Sequence, residues 1–149
     1  IFSPARLRGK KEHNWLPPEQ YAPFFSCPMV SRLEKLDIDV HPHYLSDWID
    51  AIQKLAPPTV NATLGLGHGA TLRRAPSGKY THLESVFDVS NLYWVVETLE
   101  GLDGRLLSRF DLSWRGRVDD SADLRKRLMA RINTFREQGV DVVMPTLDP

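Results

Sequence analysis

The run NLYWVVETLE, Asn91 to Glu100, decides how this chain folds. Tyr93, Trp94, Val95 and Val96 stand side by side in it, and aromatic and β-branched residues favour strands. On that ground NLYWVVETL reads as a strand covered on both faces. Before it, ATLRRA and KYTHLESVFDV flank APSGK, where Pro76 and Gly78 suit a hairpin turn. After it, EGLDGR turns the chain and RLLSRFDLSW returns, with Leu106, Phe110, Leu112 and Trp114 on one side. TVNATLGL adds a further alternating strand. The fold expected is α+β, with an antiparallel meander of four to five strands and helices packed on one face.

Helical periods bracket the strands. Leu45, Trp48, Ile49, Ile52 and Leu55 form one amphipathic stripe, ended by Pro57 and Pro58. Leu124, Leu128, Ile132 and Phe135 form another, capped by Asp120 or Ser121 and stopped by Gly139. VDVVMP follows as a short last strand. Val30, Leu33 and Leu36 suit a short helix, and DIDV reads as strand or loop. Residues 1–28 read as an extended Pro-rich basic arm, and residues 29–149 as a single mixed α/β domain. Trp48, Ile52, Trp94, Val96, Phe110, Leu128 and Ile132 are expected to be buried together.

The chain has 149 residues, enough for one sizeable core; 42% are hydrophobic and 26% charged, which excludes wholesale disorder. The formal net charge is zero, so any nucleic-acid partner must be met by a local patch. A lone Cys27 cannot form an internal disulfide, and a reducing, cytoplasmic setting is expected. Packing suits Cys27 better than catalysis. No apolar run reaches the ~18 residues of a membrane span, so no membrane partner is expected. The chain starts at Ile1, and a fragment or trimmed product is expected.

The stretch GLGHGATLRR, Gly65 to Arg74, has Gly-x-Gly-x-Gly spacing and leads into a hairpin, not a helix. A dinucleotide loop needs Gly-x-Gly-x-x-Gly at a helix start, so these glycines read as a bend. His41 and His43 lack an adjacent third ligand, and His68 and His82 could join only through the fold; no metal site is expected. Glu84, Asp88 and Glu97 are expected on neighbouring strands. A metal-dependent nuclease would place an acid on one strand and Glu-x-Lys on the next, but Glu97-Thr98-Leu99 lacks the lysine. No catalytic residue and no cofactor are therefore expected. Arg125, Lys126, Arg127, Arg131 and Arg136 read as a solvated helix face with backbone contact at most.

The stretches SDWIDAIQKL, LRRAPSGKYTHLESVFDVSNLYWVVETLEGLDGRLLSRF and ADLRKRLMARI, with Asp103-Gly104 and Leu107-Ser108 the sharpest local match, occur in an order that resembles the C-terminal domain of the TnsE family. These are target-selection proteins of a class of bacterial transposons, and the resemblance spans roughly residues 45–145. It implies a module for DNA recombination that binds structured DNA, such as a recessed end, without cutting it. Other transposition proteins and the replication clamp would be its partners.

Three readings follow. The leading one is a noncatalytic DNA-binding or DNA-structure-sensing domain, using Arg6, Arg8, Lys10 and Lys11 of the arm and Arg73, Arg74 and Lys79 of the hairpin. The second is a metal-dependent nuclease or its degenerate relative. The third is a protein-interaction module with no nucleic-acid role. Arg73 and Arg74 are expected to be exposed; convergence of these cations on one face favours the first reading, and their scatter favours the third.

Overall fold

A computed structural model of the chain describes residues 22–38, 40, 44–55, 62–67, 69–117 and 121–145. Four helices, α1 (Ala22–Phe25), α2 (Leu45–Leu55), α3 (Leu92–Gly101) and α4 (Ala122–Glu137), accompany six strands. These are β1 (Lys35–Asp37), β2 (Thr63–Gly67), β3 (Ala70–Arg74), β4 (Tyr80–Asp88), β5 (Arg109–Arg115) and β6 (Asp141–Val143). They form one sheet in chain order.

The chain is mixed α/β, as expected, but the meander is shorter than the sequence suggests. Only β2, β3 and β4 are joined antiparallel; β1 pairs with β2, β4 with β5 and β5 with β6 in parallel. The reason lies in Asn91–Glu100, which is helix α3 rather than a strand. Leu92, Val95, Val96 and Leu99 are its buried residues. They fall at i, i+3, i+4 and i+7, the stripe of an amphipathic helix. Asn91 caps the start, its side-chain oxygen accepting from the Trp94 N–H at 3.4 Å. Burial of that stripe overrides the β preference of Tyr93, Val95 and Val96. A parallel neighbour to β4 also needs a long crossover, which α3 supplies.

The three crossovers step in the same direction along the sheet. Right-handed connections then put α2, α3 and α4 on one face. The sheet's buried side chains agree. Leu36, Leu64, Leu72, Leu83, Phe110 and Val142 lie in register across all six strands and join one core with Trp48, Ile52, Val96, Leu128, Ile132 and Phe135. Of the core residues expected, only Trp94 is half-buried; it packs at the margin, edge-on to Phe87 at 6.4 Å between ring centroids. Phe25 of α1 is in the core too, and the short 3₁₀ segment Pro28–Arg32 leads from it towards β1. Val30 is buried there, whereas Leu36 belongs to β1.

The glycine stretch is a tight reversal. Gly67 and Gly69 have φ of 81° and 78°, and the β2–β3 register shifts between Gly65 and Gly67. Only glycine holds that conformation cheaply. α4 is capped by Ser121, whose hydroxyl accepts from the Leu124 N–H at 3.3 Å, and ends before Gly139. Cys27 is exposed rather than packed. Among the described residues no helix is long and apolar enough to cross a membrane.

Candidate functional site

Alternation along each strand sends one set of side chains into the core and the other to the opposite face. No described helix lies on that opposite face, and it is polar. Arg73 pairs in register with His82, His82 with Arg109, Glu84 with Asp111, and Arg109 with Asp141. A chain of charges therefore crosses four strands. The Arg73 Nε donates to Glu84 at 2.7 Å, and its Nη1 to the Thr63 hydroxyl at 3.3 Å. His82 Nε2 lies 2.6 Å from Asp111 Oδ2 and 3.9 Å from Glu84 Oε1. Arg109 donates to Asp111 at 3.1 Å and lies 3.8 Å from Asp141.

His82, Glu84 and Asp111 have their potential ligand atoms within 4.8 Å of one another. One imidazole and two carboxylates are a reasonable donor set for a divalent cation. Here those carboxylates already face Arg73 and Arg109, so a dication would have to displace two guanidinium contacts. Burial acts to raise the Asp111 pKa, but hydrogen bonds from His82 and Arg109, and their charges, outweigh it and hold the carboxyl below its ordinary range. Among the described residues no Ser, Thr or Cys side chain is hydrogen-bonded to His82. A nucleophile with an adjacent base is not assembled there.

The carboxylates expected on neighbouring strands separate. Glu84 lies on the polar face, but Asp88 turns back to cap the 3₁₀ turn after β4, accepting from the Ser90 hydroxyl and N–H, which lowers its pKa. Glu97 sits on the exposed face of α3, where it accepts a hydrogen bond from Tyr93 and raises that phenol's pKa. The expected Glu97 strand is thus corrected to a helix face. On β4, Glu84-Ser85-Val86 has valine where a Glu-x-Lys motif has its lysine, and Thr71 of β3 stands opposite Glu84.

The structure divides the hairpin cations. Arg73 reaches the polar face and is braced by Glu84, whereas Arg74 and Lys79 line a cavity of about 290 Å³ on the helix side, with Ile52, Gln53, Ser77, Gly78 and Tyr80. Arg74 is half-buried rather than exposed: it lies 4.5 Å above the Tyr80 ring and donates to the Gly78 carbonyl. Tyr80 donates to the Ala62 carbonyl at 2.8 Å, and burial, opposed by Arg74, raises its pKa. The side chain of Gln53 bonds both the N–H and the carbonyl of Tyr80, tying α2 to the hairpin. Lys79 is exposed and has no ion pair among the described residues. Arg6, Arg8, Lys10 and Lys11 lie outside the described residues, as do His41, His43 and His68.

The α4 cations are not uniformly a solvated face. Arg127 pairs with Glu100, and Arg131 reaches the Leu99 carbonyl at 2.9 Å and the Leu102 carbonyl beyond it. Arg131 thus satisfies the C-terminal end of α3. No family model, curated protein or solved structure matches the chain.

Proposed function

We propose that this chain is a noncatalytic DNA-binding domain that senses DNA structure. The observation that supports it most is the β3–β4 hairpin, where Arg74 and Lys79 line one cavity and no described lining residue is acidic. A chain of zero net charge must concentrate its cations to hold phosphates, because phosphate contacts supply most nonspecific affinity. The basic arm residues Arg6, Arg8, Lys10 and Lys11 are proposed to add to this surface. Arg73 acts as a brace for Glu84 more than as a phosphate ligand. A role in transposon target selection, with other transposition proteins, rests on the TnsE resemblance alone.

The site chemistry supports the noncatalytic reading. Glu84 faces Asp111 on β5 but has valine, not lysine, two residues on, the two carboxylates are engaged by Arg73 and Arg109, and among the described residues no nucleophile is hydrogen-bonded to His82. A protein-interaction module is the second reading, favoured by the division of Arg73 from Arg74 and Lys79 to opposite faces and by Val86 and Val143, both exposed on the polar sheet face among matched charges.

Titration of labelled recessed-end, blunt and hairpin DNA at several salt concentrations tests the proposal. Weak-to-moderate, salt-sensitive binding is expected, with ends or junctions preferred to plain duplex. Lys79→Ala should flatten the slope of log K against log salt by about one unit, the effect of one lost phosphate contact. No binding by the wild type even at low salt favours the interaction module.

A further inference from the structure

The polar sheet face holds a second arrangement, independent of the DNA-binding reading. We infer that His82, Glu84 and Asp111 bind a zinc-type divalent cation that bridges β4 and β5, with water completing its shell.

The three residues meet only through the β4–β5 register. Glu84 and Asp111 are direct partners across the parallel pair, and His82 stands two residues before Glu84 on the same face. Leu83 and Phe110, partners fully buried on the opposite side, hold that register. The potential ligand atoms lie within 4.8 Å of one another, with His82 Nε2 2.6 Å from Asp111 Oδ2 and 3.9 Å from Glu84 Oε1. A tetrahedral zinc ion with ligands at about 2.1 Å holds them about 3.4 Å apart, a spacing between those two values. Small side-chain rotations then form the cage. The three side chains are half-buried, which leaves one side of the ion open to water. An imidazole nitrogen beside two carboxylate oxygens favours zinc over magnesium, which prefers an all-oxygen shell.

The guanidinium contacts must shift, but neither arginine has to leave. Arg109 Nε spans both Asp111 oxygens, at 3.1 and 3.2 Å, so it can keep Oδ1 while Oδ2 turns to the ion, and Asp141 lies 3.8 Å away. Arg73 holds Glu84 through Oε1 and has the Thr63 hydroxyl as a second partner. Each carboxylate can thus serve the ion with one oxygen and an arginine with the other. This competition weakens the site, and it gives the site a signature: loss of an arginine should tighten metal binding.

Calorimetric titration of the full chain with Zn²⁺ tests this. Zinc should bind, and His82→Gln and Asp111→Asn should each weaken binding at least about tenfold, the least that even outer partners of a metal site cost. Arg109→Ala should tighten binding up to about fivefold, the worth of one exposed ion pair. Lys126→Ala, an equal loss of positive charge on α4, should leave it unchanged. Zn²⁺ should raise Tm, because only the folded register assembles the ligands, while Mg²⁺ at the same concentration should not. If either ligand variant loses its fold by circular dichroism, the contrast between Arg109→Ala and Lys126→Ala decides alone. Absence of zinc binding overturns the site, as does equal binding of Mg²⁺. Zinc binding that is indifferent to Arg109→Ala, or that survives His82→Gln and disappears when His41 and His43 are replaced by Ala, also overturns it.

Discussion

Arg131 and Arg127 sit four residues apart on α4 and carry the same charge, yet their removal should differ widely. Arg131 is part-buried, donates to the carbonyls of Leu99 and Leu102, and lies 4.8 Å above the Phe135 ring. A hydrogen bond to a charged group contributes about 1.5–3 kcal/mol net, and a cation–π contact about 0.5–1 kcal/mol. Water can recover part of the carbonyl bonding once the guanidinium is gone. Arg131→Ala is therefore expected to cost about 2–3 kcal/mol, which for a chain of this size lowers Tm by about 5–10 °C. Arg127 makes an exposed pair with Glu100, worth about 0–1 kcal/mol, so Arg127→Ala should move Tm by about 2 °C or less. Arg131→Lys keeps the charge but not the planar fork and should fall between them. Thermal and urea unfolding of the three variants measures this, and the matched charge loss removes net charge from the comparison. Equal shifts for Arg131→Ala and Arg127→Ala would refute the capping role.

Three further outcomes are expected. Gly69→Ala should destabilise more than Gly78→Ala. Both have positive φ, but a Cβ at Gly69 meets the Val86 carbonyl at 2.9 Å, while at Gly78 nothing lies within 4 Å; urea midpoints decide, and equal losses contradict the clash. Asp111 has a lowered pKa, so its contribution to stability is present above the unfolded value of about 3.9 and lost as pH falls through the folded one. Asp111→Asn should thus be less stable than wild type near neutrality, with the gap closing below about pH 4; a gap independent of pH in denaturant titrations contradicts this. Neither DNA nor RNA should be hydrolysed with Mg²⁺ or Mn²⁺, and cleavage abolished by Glu84→Gln in a folded protein would restore the nuclease reading.

The elements with one dominant signal were legible in the sequence. α2 and α4 showed their stripes, Ser121 and Gly139 marked the ends of α4, and the Pro76–Gly78 turn set the β3–β4 hairpin. α3 failed because two signals competed. Its side-by-side aromatic and valine residues speak for a strand, while Leu92, Val95, Val96 and Leu99 speak for a helix, and only the core decides between them. That error hid the parallel β4–β5 pairing and, with it, the site. His82 and Glu84 alternate with Leu83 in the sequence, and Asp111 lies between Phe110 and Leu112, so each was legible as facing away from the core. Their meeting depends on the Glu84–Asp111 register, which is set by a crossover with no local signature. Arg73 and Arg74 were adjacent cations in the sequence; strand alternation and the bulge between them send one to each side of the sheet.

Amide chemical-shift mapping with a short recessed-end duplex tests the DNA-binding account most directly. The account predicts salt-sensitive shifts at Arg74, Ala75 and Ser77 to Tyr80, with the outward face of α4 around Lys126 and Met129 unmoved. Shifts confined to α4 or to the polar face around Val86, or none at low salt, would contradict it.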